Sequence, residues 1–448
     1  MVIQDIKDLI NNNFGIVSLN PMQESVLEYY TQNSDDLILL SPTGSGKTIA
    51  FIAALLSQKF KHDSVPGAII IAPSRELVIQ IVGVIRQFST KYKVTECYGG
   101  HKMIDEENSL AAGCDIIVST PGRLLDHINR GNVSVKRCHQ LVLDEFDKIL
   151  ELGFEREMQK IISNIPSNSR KILTSATNIE KIPDFVVLRN PKLLNFIEVS
   201  NGDENSVSVK KVLSPEKDKL PALVALLACI THNARVIVFV NYRDAVKRVY
   251  DCLKSKRLPV GIYMGSMDQI EREKAIELFN NGTYKIMVST DLASRGLDIV
   301  DVNYIIHYHL PLSREAYIHR NGRSGRQKRS GNAFVIYHAS ETLPDYIDCC
   351  DNFEPDALAH CGIKQDCDTL FFHAGRKEKI SKGDVVGYIV ANTNMPASQI
   401  GTINSHDHYT LVAVPHGKAR EILRMLENKK IKNQKVKVSI AEQKMQAL

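Results

Sequence analysis

Short apolar runs alternate with longer amphipathic stretches along most of this chain. In the first half, five runs of four or five residues are rich in Ile, Leu, Val and Ala, which is typical of buried strands. The runs are 37–40, 68–72, 116–119, 140–143 and 171–174. Because patterns of helical periodicity separate them, we predict βαβ units that build a parallel α/β sheet.

A second series of the same kind follows the polar, turn-rich stretch 201–206, which is typical of a linker. Its apolar runs are 236–240, 260–263, 285–289, 304–307 and 333–337. The repetition predicts two α/β units in tandem.

A third, shorter segment begins near residue 367 and has a different order of elements. Its β-like stretches are 369–373, 401–404, 409–414 and 435–440, and its helical stretches are 382–390 and 417–428. The order βαββαβ predicts a small α+β domain that is RRM-like, that is, similar to RNA-recognition domains. We therefore predict three domains, spanning 1–205, 206–366 and 367–448.

Composition is compatible with three domains and indicates where in the cell the protein works. A chain of 448 residues with 44% hydrophobic content is longer than one ordinary domain and typical of globular structure. It has no run of about 18 apolar residues, so we expect no membrane span. Its first residues have no basic stretch followed by an apolar one, so we expect a cytoplasmic protein.

The nine cysteines lack CxxC spacing, and most lie in apolar stretches, which predicts reduced, buried thiols. A zinc site is the alternative for one group of possible ligands near residue 360: Cys349, Cys350, His360, Cys361 and Cys367. Their spacings match no common zinc pattern, so we disfavour this alternative.

Positive charge is concentrated in the third segment. Residues 364–448 hold 14 Lys and Arg against 8 Asp and Glu, a net charge of +6, which leaves −1 for the rest of the chain. A basic domain of this kind favours a polyanionic partner, and an ordinary solvated surface is the alternative.

Residues 41–48, SPTGSGKT, form a phosphate-binding loop between the first apolar run and a helical stretch. Gly44 and Gly46 allow backbone N–H groups to curl round phosphates at a helix N-terminus. Lys47 can reach the β- and γ-phosphates, and the Thr48 hydroxyl can hold Mg²⁺. The loop predicts a bound nucleoside triphosphate.

Acidic residues follow the apolar run 140–143, at the strand end where ligands of parallel sheets bind. In this sequence, DEFD, Asp144 can hold Mg²⁺ through water, and Glu145 can deprotonate the water that attacks the γ-phosphate. An acidic stretch alone is usually a solvated turn, but its place beyond a phosphate-binding loop favours catalysis.

The stretch 319–326, HRNGRSGR, places three arginines among small residues. Such arginines can stabilise the charge of a transferring phosphoryl group, whereas a basic surface loop is the alternative. Because this stretch lies in the second predicted unit and the phosphate-binding loop in the first, catalysis would require the two units to close on one nucleotide.

Taken together, these motifs resemble those of the DEAD-box RNA helicases of superfamily two, in the same order and over nearly the whole chain. The further matching stretches are NPMQ at 20–23, PSREL at 73–77, GG at 99–100, TPGR at 120–123, SAT at 175–177, FVNYR at 239–243, QIER at 269–272 and STDLASRGLD at 289–298. The resemblance implies two RecA-like domains, ATP with Mg²⁺ as cofactors, and RNA as partner.

Roles are carried over from the family position by position. For ATP, the resemblance implies five catalytic residues: Lys47, Asp144, Glu145, Arg323 and Arg326. It implies that the nucleotide is bound by Gln23, Thr43, Gly44, Ser45, Gly46, Lys47, Thr48, Gly296 and Asp298. The metal would be held by Thr48 and Asp144. For RNA, it implies contacts from Arg75, Gly100, Thr120, Pro121, Gly122, Arg123, Arg243, Gly265 and Thr290. Ser175, Thr177, Asp147 and His319 would couple hydrolysis to RNA.

The sequence departs from the family pattern at three places. Phe146 stands where the family name has alanine, and Ser74 replaces the more usual threonine, changes that we expect to affect packing more than chemistry. The family's aromatic residue upstream of the glutamine is not evident, so we expect adenine to be recognised by Gln23 and its backbone neighbours.

The third segment resembles the RNA-binding domain of DbpA-type helicases, through stretches such as GRK at 375–377, GDV at 383–385 and KIK at 430–432. In that group the domain grips a hairpin of large-subunit ribosomal RNA. Its predicted third strand offers one aromatic, Tyr409, so we expect basic residues rather than base stacking to bind RNA. The candidates are Arg376, Lys377, Lys379, Lys382, Lys430 and Lys432.

The sequence thus predicts a monomeric ATP-dependent RNA helicase that acts in the pre-ribosomal particle. Two alternatives stay open: a DNA helicase with similar motor units, and an ATP-gated RNA clamp or assembly platform that separates no strands.

Overall fold

Two parallel sheets with the same strand order dominate the computed structural model of this chain. It describes residues 3–42, 44–58, 65–88, 91–100, 103–178, 181–197, 207–291, 299, 302–324, 331–347, 351–356 and 361–443. Two compact units divide the chain near residue 206. The predicted linker 201–206 and the cysteines at 349 and 350, with His360, lie outside the described residues.

The first unit is a seven-stranded sheet covered by helices. Its strands are β1 Leu37–Leu40, β2 Ala68–Ile71, β3 Val94–Cys97, β4 Ile116–Ser119, β5 Gln140–Leu143, β6 Arg170–Ser175 and β7 Lys192–Asn195. Their order is β3-β4-β2-β5-β6-β1-β7, and all of them pair in parallel. The helices are α1 Ile3–Phe14, α2 Pro21–Gln32, α3 Lys47–Ser57, α4 Arg75–Gln87, α5 Met103–Ala111, α6 Pro121–Asn129, α7 Phe146–Glu151 and α8 Glu155–Asn164.

Strand β2 shows why its run has no polar alternation. Ile70 packs into one apolar cluster with the helices of one face, whereas Ile69 and Ile71 belong to the cluster on the other face. Both faces of a parallel sheet are covered by helices, so every side chain of a central strand is buried.

The second unit begins with another seven-stranded parallel sheet. Its strands are β8 Ser208–Ser214, β9 Val236–Phe239, β10 Val260–Tyr263, β11 Ile286–Ser289, β12 Tyr304–His307, β13 Asn332–His338 and β14 Asp351–Asn352, in the order β10-β11-β9-β12-β13-β8-β14. Its helices are α9 Leu220–Ala228, α10 Arg243–Ser255, α11 Gln269–Asn280 and α12 Arg314–Asn321. Strands β8 to β14 therefore repeat the order of β1 to β7.

The third domain belongs to the second compact unit and has the predicted βαββαβ order. Its elements are β15 Cys367–Phe372, α13 Lys382–Asn392, β16 Ile403–Ser405, β17 Thr410–Pro415, α14 Ala419–Leu426 and β18 Val438–Ile440. The sheet order is β16-β17-β15-β18, with antiparallel pairing throughout. One face packs on the two helices through residues such as Leu370, Val412 and Ile389.

The other face of this small sheet packs on α11 of the preceding domain. Leu411, Tyr409 and Phe371 meet Leu278 and Tyr284 in one apolar cluster. Polar contacts surround it: the Tyr409 hydroxyl donates to Glu273 at 2.9 Å, His406 Nε2 lies 2.6 Å from Glu277, and the Asn281 side chain donates to Thr369 at 2.8 Å. These contacts dock the third domain on the second sheet domain.

All ten strands that the apolar runs predicted in the two α/β units are present, within one or two residues at each end. The strands that the pattern did not predict are β3, β7, β8 and β14. Among the described residues no helix is both long and apolar enough to cross a membrane.

Candidate active site and nucleic-acid interface

The phosphate-binding loop connects β1 to α3, as the sequence predicted. Gly44 and Gly46 both have positive φ, of 80° and 89°, a conformation that residues with a side chain rarely adopt. A Cβ at Gly46 would also lie 2.5 Å from Nε2 of Gln23. The backbone conformation therefore favours glycine at both positions, and a side chain at Gly46 would in addition displace the Gln23 amide group from the loop.

Lys47 begins α3 and is buried, with only 8% of its surface exposed. Its Nζ donates to the carbonyl oxygen of Ser41 and, at 3.1 Å, to that of Pro42. The side chain thus lies along the inside of its own loop, among oxygens that phosphate oxygens could replace.

Gln23 is fixed against the same loop by a helix cap. The Asn20 side-chain oxygen caps α2 by accepting from the backbone N–H of Gln23 at 2.9 Å. In return, Gln23 Oε1 accepts from the backbone N–H of Asn20 at 3.1 Å. The free ends of both side chains donate to the loop: Asn20 Nδ2 to Ser45 O at 2.9 Å, and Gln23 Nε2 to Gly46 O at 3.3 Å. The stretch that resembles an adenine reader is therefore attached to the phosphate-binding loop.

Asp144 follows β5 at the carboxyl edge of the sheet and is 2% exposed. Its carboxylate accepts a 2.5 Å hydrogen bond from the Thr174 hydroxyl on the adjacent strand β6. Burial raises the pKa of Asp144, although the Thr174 hydrogen bond and the charge of Lys47 act in the opposite direction. A cation beside this carboxylate would remove the cost of its burial.

Glu145 is the N-cap residue of α7 and has the left-handed φ of 48°. Its amide donates to the same Thr174 hydroxyl at 3.1 Å, so Thr174 bridges both acidic residues. A non-glycine residue in this conformation is uncommon and is often found at functional sites. Thr174 was not among the predicted site residues; the signal available was a polar residue at the end of an apolar run, next to SAT.

Asp147, in the first turn of α7, contacts the predicted coupling motif. The Thr177 hydroxyl donates to its Oδ2 at 2.9 Å, and the Ser175 hydroxyl donates to the Thr177 carbonyl at 2.6 Å. Residues 174–177, at the end of β6 and just beyond it, are thus bonded to the acidic motif twice, through Thr174 and through Thr177. A shift of SAT would therefore move the partners of Asp147 and Asp144.

The two residues predicted to hold a metal ion offer oxygen atoms of the kind that Mg²⁺ binds. Asp144 supplies a buried carboxylate, and Thr48 supplies a hydroxyl on the first turn of α3. Mg²⁺ prefers such hard oxygen ligands, together with water and the phosphates of its substrate.

The predicted RNA-contacting residues of the first unit lie at the carboxyl ends of three adjacent strands, β2, β3 and β4. Arg75 begins α4 after β2, Gly100 follows β3, and Thr120 caps α6 after β4. Arg123 Nη2 donates to the carbonyl of Tyr98 at 3.2 Å. Pro121 and Gly122 occupy the first turn of α6, Pro121 buried and Gly122 exposed.

The second unit places its predicted RNA contacts at equivalent positions. Arg243 begins α10 after β9, Gly265 follows β10 and Thr290 follows β11. A shared detail supports the equivalence. Ser119 Oγ donates to the carbonyl of Cys97, the last residue of β3, at 2.7 Å, and Ser289 Oγ donates to that of Tyr263, the last residue of β10, at 2.6 Å.

The arginine stretch begins in α12 of the second unit. His319 and Arg323 are both almost fully buried, at 1% and 3% exposure. Arg320, the first arginine of the stretch, is also buried and bonds to Asp291, to the Asn241 side chain at 2.8 Å and to the His309 carbonyl at 3.0 Å. Arg320 therefore holds together three of the motifs that resemble the family.

Four predicted ATP-site residues lie outside the described residues: Thr43, Gly296, Asp298 and Arg326. Their predicted roles remain predictions from the sequence.

In the third domain the candidate basic residues are exposed and several have acidic neighbours. Arg376 and Lys377 approach the Asp407 carboxylate to 3.0 and 3.5 Å. Lys432 is 2.7 Å from Asp384 and donates to the carbonyl of Lys379 at 3.1 Å, and Lys430 is exposed nearby in the chain. Hydrogen bonds from Lys432 and Ser381 lower the pKa of Asp384 to about 2.

Tyr409 lies on the sheet face that packs on α11, and it is 6% exposed. Its ring stacks on that of Phe371 at a centroid distance of 5.2 Å and on that of His406 at 4.2 Å. Because these aromatic faces are used within the protein, an RNA base cannot stack on this part of the sheet without undocking it.

Comparisons with known proteins agree with the motifs. The DEAD/DEAH box helicase family matches residues 20–185, the helicase conserved C-terminal domain matches 218–328, and the DbpA RNA binding domain matches 369–440. The chain belongs to the DEAD-box family of RNA helicases and has the domain set of its DbpA type. It is an RNA-dependent ATPase of that family, whose members use ATP.

Relatives cover almost its full length. It is 29% identical to the ATP-dependent RNA helicase DbpA of Bacillus subtilis, over 95% of each chain, and 29% identical to that of Escherichia coli, over 96% of each chain. A solved structure of S. cerevisiae Dbp5 bound to RNA and ADP BeF3 matches 79% of this chain and 94% of that one, with a TM-score of 0.70 and 25% identity. The two parallel-sheet domains are accordingly RecA-like, as predicted.

Proposed function

We propose that this chain couples ATP hydrolysis to the local opening of short RNA duplexes in large-subunit ribosomal RNA, and that its third domain brings it to that RNA. The observation that supports this most strongly lies in the first unit. One sheet edge carries the phosphate-binding loop, the buried residues Asp144 and Glu145, whose carboxylate and backbone amide respectively are bonded to Thr174, and, after β2, β3 and β4, the predicted RNA contacts.

For hydrolysis, Lys47 would leave the carbonyl oxygens of its loop and bind the β- and γ-phosphates. Asp144 and Thr48 would hold Mg²⁺, which neutralises phosphate charge when it is bound. The Glu145 carboxylate would orient the attacking water and accept its proton. Arg323 and Arg326 would stabilise the charge that develops on the transferring phosphoryl group.

Coupling to RNA would pass through β6. Thr177 bonds to Asp147, and Thr174 bonds to Asp144 and to the amide of Glu145. A movement of the SAT stretch when RNA binds would therefore change the position of the carboxylates, and His319 would respond in the second unit.

The third domain would act as a tether. Arg376, Lys377, Lys430 and Lys432 would bind RNA phosphates, since base stacking on the Tyr409 face is blocked by α11. Because the domain is docked on the second RecA-like domain, a bound hairpin would raise the effective concentration of nearby duplexes at the motor.

We further propose a monomer that works in the pre-ribosomal particle in the cytoplasm, where reduced thiols persist. The seven cysteines within the described residues are all free thiols, which is compatible with this setting.

The main test is a strand-release assay with a short RNA duplex attached to a ribosomal hairpin, run together with ATP turnover. We expect both to require RNA and ATP, and DNA of the same sequence to stimulate turnover less. Turnover that RNA does not increase would contradict the proposal. ATP-dependent RNA binding without strand release would instead support the clamp.

A second test addresses the tether while leaving the docked interface in place. Removing residues 367–448 would uncover Leu278 and Tyr284, so we prefer the double substitution Arg376→Ala with Lys377→Ala. We expect it to weaken stimulation by hairpin RNA but not by generic RNA. Lys418→Ala with Arg420→Ala, two exposed basic residues of the same domain, is the matched control. Equal stimulation by both RNAs before and after substitution would remove the tether.

A further inference from the structure

A buried carboxylate that no motif includes lies between the two predicted RNA-contacting stretches of the first unit. Glu106, on α5, is 4% exposed, and three groups converge on it, one from the segment after β3 and two from α6. The Tyr98 amide donates to its Oε1 at 3.1 Å. His127 Nε2, on α6, lies 2.7 Å from its Oε2, and Arg123 Nε forms an ion pair with the same oxygen at 3.1 Å.

These contacts join two functional stretches through one side chain. Tyr98 directly precedes Gly99 and Gly100, whereas Arg123 is the last residue of the TPGR stretch. Arg123 closes the connection by donating through Nη2 to the Tyr98 carbonyl at 3.2 Å. The amide and carbonyl of Tyr98 are thus both bonded within the cluster, and neither stretch can shift without straining the other.

The proton arrangement around His127 explains how the cluster keeps its charge balanced. The Asn132 amide nitrogen lies 3.1 Å from His127 Nδ1, so Nδ1 accepts and the ring carries its hydrogen on Nε2. That hydrogen points to Glu106, and the carboxylate then faces one guanidinium and two neutral donors. A buried carboxylate with such partners is satisfied, and removing it would take the acceptor from Tyr98 and His127 and the ion-pair partner from Arg123.

We propose that Glu106, supported by His127, is a positioning residue that fixes Arg123 and the Tyr98–Gly100 turn in their RNA-binding geometry. This inference rests on the proposed function, since it assumes that Arg123 and Gly100 contact RNA. It predicts that Glu106 affects RNA affinity through Arg123, without touching RNA itself.

A metal site is the alternative that the same residues raise. Cys97 Sγ, a Glu106 oxygen and a His127 nitrogen all lie within 4.8 Å of one another, and all three residues are buried. Burial raises the pKa of the Cys97 thiol, which opposes the thiolate that a metal needs. The Arg123 guanidinium already pairs with the Glu106 carboxylate, and its positive charge would repel a metal cation. A positioning role for Glu106 therefore fits the cluster better than a metal site.

The test is the affinity of the full chain for a single-stranded RNA without secondary structure, measured by fluorescence anisotropy with a non-hydrolysable ATP analogue. The variants are Glu106→Gln, Arg123→Gln and the double variant. Both oxygens of the Glu106 carboxylate have partners, whereas a glutamine amide has only one oxygen. In Glu106→Gln the amide NH₂ would therefore face an N–H group, and one of these contacts would be lost. We expect each single variant to bind about tenfold more weakly, and the double variant about as weakly as either single one.

Asp105→Asn, an exposed acid one residue earlier on α5, is the matched control and should bind like the wild type. Thermal midpoints of all variants report folding separately from affinity. Unchanged affinity in Glu106→Gln, or additive losses in the double variant, would overturn the inference alone. Stoichiometric zinc that is lost in Cys97→Ser would also overturn it. A wild-type chain that binds no RNA would contradict the proposed function as well.

Discussion

The two RecA-like domains have the same strand order but different chemistry at the ends of their strands. Residues predicted to contact RNA occur at equivalent positions of both sheets: Arg75 and Arg243 after β2 and β9, Gly100 and Gly265 after β3 and β10, and Thr120 and Thr290 after β4 and β11. The similarity extends to the serine that bonds across to the neighbouring strand in each sheet.

The phosphate-binding loop has no counterpart after the equivalent strand of the second domain. After β1 the chain continues into SPTGSGKT, with Lys47 among loop carbonyls, whereas after β8 it continues to Lys219, which is buried in an ion pair 2.6 Å from Glu341. Lys219 also donates to the Ile336 carbonyl at 2.9 Å. A lysine neutralised by a carboxylate cannot serve a phosphate in the same way.

The same fold is therefore fitted for two different ligands. Similar sheet edges suit a long RNA strand, because phosphates repeat along its backbone and each edge can contact a different part of it. A nucleotide is a single small ligand, so one phosphate-binding loop and one pair of acidic residues are enough for the phosphates, and they lie in the first domain. We expect substitutions at equivalent RNA positions to act alike, whereas Lys47 and Glu145 have no equivalent in the second domain, whose predicted part in ATP hydrolysis is carried by other residues such as Arg323.

The largest effect should follow from Glu145→Gln, which removes the proposed base while keeping the shape of the side chain. We expect RNA-stimulated turnover of ATP to fall by about 10²- to 10⁴-fold. Glu151→Gln, at the exposed end of the same helix α7, should leave turnover unchanged. Turnover in Glu145→Gln close to that of the wild type would exclude this residue as the base.

A somewhat smaller loss is expected for Lys47→Ala. Removing this charge should lower turnover by about 10²-fold, because the transferring phosphate loses a preorganised cation. Lys217→Ala, an exposed lysine after the equivalent strand β8, is the control. The measurement is steady-state phosphate release at saturating RNA. If both variants lost activity equally, the asymmetry between the two sheets would be wrong.

A moderate and symmetrical effect is expected for Arg75→Ala and Arg243→Ala. Each should raise the RNA concentration for half-maximal stimulation by about tenfold and reduce the slope of log affinity against log salt by about 1. Titration with generic RNA at several salt concentrations measures both quantities, with the exposed Arg156→Ala as control. A loss confined to one of the two arginines would break the equivalence of the sheets.

The smallest effect concerns pH and the docked third domain. Burial lowers the pKa of His406, but its hydrogen bond to Glu277 and the charges of Glu277 and Glu273 outweigh burial, so this pKa is raised overall. The stabilisation is then fully present below the ordinary histidine pKa of about 6.5 and is lost as pH rises through the raised value. We expect docking to weaken by about 1 kcal/mol or less over this window.

Hydrogen exchange in α11, corrected for the pH dependence of the intrinsic exchange rate, measures this docking. His406→Gln should abolish the pH dependence, whereas His408→Gln, an exposed neighbour bonded to Glu378 instead, should keep it. The same pH dependence in both variants would assign it to another group.

The central strands were predictable because both of their faces are buried. β2 reads AIII and β9 reads VIVF, patterns that need no partner to be recognised. The missed strands lack this signal. β3 reads VTEC with polar positions, β7 reads KLLN with two exposed residues, and β8 holds three charged or polar residues at its start. Three of these, β3, β7 and β14, lie at sheet edges, where one side is open and polar side chains are tolerated.

Residue patterns alone were enough to recognise the class of protein, the phosphate-binding loop and the acidic motif, because these functions need particular residue types at adjacent positions. The distant groups that support them became visible in the folded chain. Thr174 bonds to the Asp144 carboxylate and the Glu145 amide from the neighbouring strand, Glu106 joins two stretches predicted to contact RNA, and α11 covers the Tyr409 face. These contacts depend on which strands and helices become neighbours in the fold, and local sequence patterns do not specify those neighbours.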